Sequence, residues 1–156
     1  MPKSWIPNWF EGERSEGGMS TLRCIDRWIY YTDTPVQPVH LGLIPASSLI
    51  LGVSIHFFSG FGPGSGVYLN VGYEDDLTTL VNGDPNPDFD LCGASDRRFL
   101  LLPPILGLAE QPGTGYFIGK VTTQDMDVLI TWPNVEGLVG GSAHIAVLFV
   151  ESEQLI

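Results

Sequence analysis

The sequence predicts an all-β fold: an antiparallel β-sandwich of jelly-roll type, preceded by an extended N-terminal arm. Three observations point there. Gly (19) and Pro (12) punctuate the 156 residues so densely that long helices have no room to run. Apolar residues recur at period two in several short runs, the signature of half-buried strands. No helical stretch of about 10–15 residues separates those runs, which argues against a parallel βαβ sheet. The length suits one domain, with residues 1–25 as the arm and 26–156 as the sandwich.

Each element follows from its residues. Met1 to Arg23 carries charges and glycines without sustained periodicity, yet it holds Trp5, Ile6, Trp9 and Phe10. Large apolar side chains in such a segment need something to dock on. They either fold back on their own domain or anchor in a neighbouring subunit, where aromatics dominate binding energy. The second reading makes these four residues the candidate partner-binding site. Asp26 to Thr32 is aromatic and β-branched and reads as the first strand. Val39 to Leu43 is a short second one. Leu49 to Phe57 alternates, with Leu49, Leu51, Val53, Ile55 and Phe57 on one face and Gly52, Ser54 and His56 on the other. Ser59 to Gly66 is a glycine-rich loop, and Val67 to Val71 a further strand. Asp76 to Val81 is ambiguous between a short helix and an edge strand. After the loop Asn82 to Pro87 come strands at Arg98–Leu102, Gly115–Lys120, Met126–Trp132 and Ser142–Val150.

Charge is scarce and unevenly placed. Lys+Arg is 7 against Asp+Glu 18, a net charge of −11. Phosphate neutralisation needs clustered bases, so a nucleic-acid partner is not expected. No Asp, Glu, Lys or Arg occurs from Thr34 to Tyr73 or from Gly137 to Val150. Such stretches suit central strands of a sandwich, or an interface between subunits, since interface cores are depleted in charge. The acids gather in Glu74-Asp75-Asp76 and in Asp84 to Asp90, which read as turns on an exposed rim. The first 20 residues hold no continuous apolar run, so no signal peptide is expected. Val39 to Phe61 is apolar but broken by Gly42, Pro45 and Gly52, so no membrane span is expected.

Candidate chemistry is thin, and no catalytic residue, metal site or cofactor is expected. Asp84, Asn86, Asp88 and Asp90 superficially follow a calcium loop, but Phe89 and Ser95 stand where that loop needs Gly and Glu. His40, His56 and His144 fall on expected strands without the short spacing of a metal motif. No Gly-x-Ser-x-Gly elbow is present. Cys24 and Cys92 are the only cysteines, and two unbonded thiols are the default. Trp28, Tyr30 and Tyr31 either pack or stack on a sugar; the latter makes a carbohydrate- or receptor-binding β-sandwich module the alternative function.

Leu43-Ile44-Pro45-Ala46-Ser47-Ser48-Leu49 leads from a Pro-Ala-small turn into a long strand, and a glycine-rich loop precedes Tyr68-Leu69-Asn70-Val71-Gly72-Tyr73. Gly140-Gly141-Ser142 opens a closing apolar strand. In this order the chain resembles small β-sandwich structural proteins of tailed-bacteriophage virions, of the head decoration, cement or minor capsid type. The resemblance covers roughly residues 39–75 and 137–151. It implies a non-enzymatic assembly protein of the capsid exterior, made in the host cytoplasm. Its partners would be the major capsid protein or other virion proteins and further copies of itself, a trimer being favoured. The pattern transfers no catalytic residues, and the arm has no counterpart in it.

Overall fold

A computed structural model describes residues 21–30, 38–62, 66–84, 86–103, 111–132, 138 and 140–151. Among them run eight strands: β1 (Thr21–Tyr30), β2 (Val39–Ile44), β3 (Ser48–Ser59), β4 (Asn70–Tyr73), β5 (Asp76–Asn82), β6 (Arg97–Leu101), β7 (Met126–Thr131) and β8 (Ser142–Glu151). A short 3-10 turn covers Pro87–Phe89. The strands form two four-stranded sheets, ordered β1-β8-β3-β6 and β2-β7-β4-β5. Every pairing within them is antiparallel. The expected antiparallel sandwich is therefore what the chain forms. Its wiring is nested: β1 pairs β8, β2 pairs β7, β3 pairs β6 and β4 pairs β5. The chain is thus a long hairpin, its tip at β4–β5, folded over so that alternate pairs enter opposite sheets.

The inward faces meet in one apolar core. Ile29, Ile55, Phe57, Leu101, Ile145, Val147 and Phe149 come from the first sheet, and Val39, Ile44, Val71, Leu80, Val128 and Ile130 from the second. The two charge-free stretches supply β3 and β8, the central strands of the first sheet. Phe57 is fully buried, meets Phe99 edge-on at 6.0 Å and lies 4.3 Å beneath the Arg97 guanidinium carbon.

Four local expectations need correction. β1 starts at Thr21, earlier than the expected Asp26, because β8 is long enough to pair ten residues of it; residues 31 and 32 lie outside the described residues. In β3 the register shifts between Ile50 and Gly52. The extra residue of that bulge resets the alternation. Ile50 therefore enters the core, while Leu49 and Leu51 stay half-buried outside it. The 67–71 strand pairs in its sheet only from Asn70, because Val67 and Leu69 bond instead to Leu91 and Phe89. Gly115–Lys120 is no strand. Ile118 and Lys120 bond back to Gly115 and Phe117, and Gly119 takes φ +93, so the segment turns and drops Ile118 into the core. The ambiguous segment resolves as β5, since Thr79, Leu80 and Val81 are buried against its neighbours.

Phe57→Ala removes a fully buried ring from the first sheet. It should cost about 3–5 kcal/mol, read as a lowered midpoint in guanidinium denaturation.

Candidate functional site

Period two gives each sheet an outer face as well as a core face. That of the β2-β7-β4-β5 sheet mixes polar His40, Asp127, Thr131 and Asn70 with Leu43 and Leu129 and carries no ring cluster among the described residues. The outer face of β1-β8-β3-β6 differs. Trp28 lies opposite His144, His144 opposite His56 and His56 opposite Arg98, a single row across all four strands. The next row holds Asp26, Ala146, Ser54 and Leu100, and beyond it Cys24, Leu148 and Gly52. Tyr30, Phe58, Leu100 and Leu102 are exposed. This face is the candidate interaction surface.

Its rings form a cluster. Trp28 contacts His144 at 5.1 Å and Phe58 at 5.7 Å, and His56 contacts Phe58 at 5.0 Å. These pairs are tilted by 51° to 65°. Only Trp28 and Tyr30 come near parallel, at 17° and 6.5 Å. Among the described residues the tilted rings pack into one another rather than lying side by side as a flat platform; Tyr31 lies outside the described residues.

Both histidines of the row are tied to carboxylates. His144 Nε2 donates to Asp26 Oδ2 at 2.8 Å, with the imidazole almost wholly buried. His56 Nε2 donates to Asp96 Oδ1 at 2.9 Å, and Arg98 Nε lies 3.4 Å from the same oxygen. A carboxylate only accepts, so each imidazole carries its proton on Nε2. The His56 hydrogen bond, followed by the Arg98 charge, holds the Asp96 carboxyl below its ordinary range. The third histidine, His40, pairs with Asp127 at 3.1 Å, both well exposed; such a pair adds little stability. Burial and the nearby Asp26 push the Cys24 thiol up to about 12. No disulfide joins Cys24 to Cys92.

The acidic segments have structural work. Glu74 and Asp75 occupy the β4–β5 turn, as expected of a rim. Hydrogen bonds from the Thr78 amide and hydroxyl hold the adjacent Asp76 carboxyl below its ordinary range. Asp90, expected on the same exposed rim, is buried because its carboxylate accepts from the amides of Gly66, Val67 and Cys92. Arg97 fastens the same loop from β6, donating to the carbonyls of Ala94, Asp88 and Asp90. Among the described residues no group of three or more His, Cys, Asp or Glu could hold a metal ion. No described helix is long and apolar enough to cross a membrane. The four arm residues Trp5, Ile6, Trp9 and Phe10 lie outside the described residues. The row Trp28–His144–His56–Arg98 was not visible as a unit in the sequence, because its members come from four strands. The one available signal was that His56 and His144 both sit at polar positions of alternating apolar runs.

No protein-family model matches the sequence, and no curated protein matches it. Among solved structures, a chain of the cyanophage Pam1 capsid asymmetric unit is similar with a TM-score of 0.57 and 16% identity. The match spans 96% of this chain and 99% of that one. At that identity the likeness is one of fold, and it runs the length of both chains.

Because Asp96 is ionised more readily when folded, its contribution is present above the unfolded carboxylate pKa and fades as pH falls through the folded one. Asp96→Asn should therefore lower the denaturation midpoint slightly at neutral pH. The difference from the parent should vanish in acid below the ordinary carboxylate range, as followed by a series of urea titrations.

Proposed function

We propose that this chain is a non-enzymatic structural protein of a bacteriophage virion, decorating or cementing the capsid from its exterior. The observation that carries the reading is the full-length likeness of fold to a phage capsid chain. The nested pairing of eight strands in two sheets supports a jelly roll, an architecture used by viral capsid domains. The face asymmetry fits a lattice-bound subunit. One sheet offers exposed Tyr30, Phe58, Leu100 and Leu102 to a neighbour, while the acidic β4–β5 turn faces solvent and adds to a charge of −11. In this role affinity comes from buried apolar area and from many copies binding at once. The partners are the major capsid protein or other virion proteins and further copies of this chain, with a trimer as the favoured assembly. The segment before β1 serves as an arm, its Trp5, Ile6, Trp9 and Phe10 anchoring in the neighbouring subunit.

Co-sedimentation with capsid shells of the parent phage that lack this protein tests the reading. The full chain should bind saturably, and the Trp5→Ala/Trp9→Ala/Phe10→Ala variant should bind much more weakly. Failure of the full chain to bind any shell would overturn the capsid role.

A further inference from the structure

At the tip of the long hairpin β5 ends in Asn82-Gly83, a pair that joins a packing demand to a chemical liability. Gly83 is buried, and a Cβ there would collide with the Leu69 carbonyl oxygen and with Phe89 Cβ. The first obstacle is backbone, so the position demands glycine. Asn82 beside it is exposed. Asparagine before glycine is the context in which the next main-chain nitrogen reaches the side-chain carbonyl most readily, because no Cβ obstructs ring closure. The chain's other asparagines precede Trp9, Val71, Pro87 and Val135. Hydrogen bonds oppose the closure at Asn82. The Gly83 N–H donates to Asn70 Oδ1 at 2.9 Å. The Asn82 N–H donates to the Gly113 carbonyl at 2.9 Å, and the Gly83 carbonyl accepts from the Asn86 amide at 2.7 Å. Closure requires the Gly83 nitrogen to give up its proton and swing out of its peptide plane onto Asn82 Cγ. Asn70, which stands opposite Asn82 across the β4–β5 pair, holds both that proton and that plane.

We infer that Asn82 is a latent deamidation site, kept closed in the folded protein by the Asn70 side chain acting as a positioning residue. When the Asn70 bond opens, the Gly83 nitrogen attacks Asn82 Cγ. The N–Cγ bond forms, the Cγ–Nδ2 bond breaks, and ammonia leaves with the amide proton, giving a succinimide. Solvent water then opens the ring. Attack at Cγ gives aspartate, and attack at the Asn82 main-chain carbonyl gives isoaspartate. Over the two steps one water enters and one ammonia leaves. Either product adds a negative charge close to Asp84. Isoaspartate also lengthens the main chain by a methylene where β5 pairs β4, which disturbs the opposition of Asn70 and Asn82. The inference stands whether or not the chain attaches to a capsid.

Incubation of the full chain at mildly alkaline pH, sampled over days, tests it. Trypsin with a glutamate-specific protease releases residues 75–97 as one peptide, in which mass spectrometry reads the exchange of the side-chain amino group for a hydroxyl. Asn86 in the same peptide is an internal control, since Pro87 has no N–H with which to close the ring. The chain denatured in guanidinium should be modified at Asn82 at least about tenfold faster than the folded chain. Equal rates overturn the inference. Asn70→Ala, with the circular dichroism of the parent, should speed the folded-state reaction about two- to tenfold, the equivalent of one lost hydrogen bond. Asn70→Asp keeps an acceptor oxygen in that place and should restore the parent's rate. An unchanged rate in Asn70→Ala, or the same acceleration in Asn70→Asp, overturns the role of Asn70. Should Asn70→Ala fail to fold, hydrogen exchange of the Gly83 amide in the parent decides: exchange as fast as in the denatured chain overturns the inference, and protection supports it.

Discussion

The placement of β8 between β1 and β3 is the constraint on which the rest of the molecule depends. This strand pairs along its whole length on both sides. Its odd-numbered residues Ala143, Ile145, Val147 and Phe149 enter the core, and its even-numbered His144, Ala146 and Leu148 build the outer face. Because side chains alternate strictly, a slip of one residue would exchange the two sets and drive an imidazole into the apolar interior. The register is therefore strongly specified by burial. It also ties the beginning of the described chain to its end, since Leu22 lies opposite Val150. Pairing of such distant segments makes folding slow relative to a protein of local contacts.

Absence of charge along β3 and β8 has two consequences that share one cause. Inside, it permits a core closed from both sheets. Outside, it leaves a face whose polarity comes from imidazoles tied to Asp26 and Asp96 rather than from free charges. Some ionisable groups elsewhere fasten loops. Asp90 and Arg97 hold the segment between β5 and β6, and Asp76 orders the start of β5. The molecule thereby has one ring-rich sheet face and an acidic turn region.

Several features were legible before any coordinates. Period two in Met126–Trp132 marked that strand and its core face, and the apolar run of Ser142–Val150 marked the last strand. Gly and Pro density argued against long helices, and the charge-free stretches hold β3 and β8, the central pair of the first sheet, together with β2 at the edge of the second. Less legible was the phase within β3. The first half of Leu49–Phe57 alternates as convincingly as the second, and only pairing against Leu148 and Phe149 reveals the bulge at Leu51. The Gly115–Lys120 segment has strand-like residues, but hydrogen bonds to Leu80, Thr79 and Ile50 and the left-handed Gly119 make it a turn.

By itself, the sequence determined the all-β class, the number and approximate position of most strands, and the acidic, helix-poor character of the chain. These follow from local propensity, periodicity and composition, which each residue carries with it. Tertiary structure alone decided which strands became neighbours, and hence that Trp28, His144, His56 and Arg98 form one row. It also decided that Asp90 is buried rather than on the rim, because the three amides that solvate its carboxylate come from Gly66, Val67 and Cys92. Strand pairing is a long-range choice among many edges of similar chemistry, and only closure of a common core selects one arrangement.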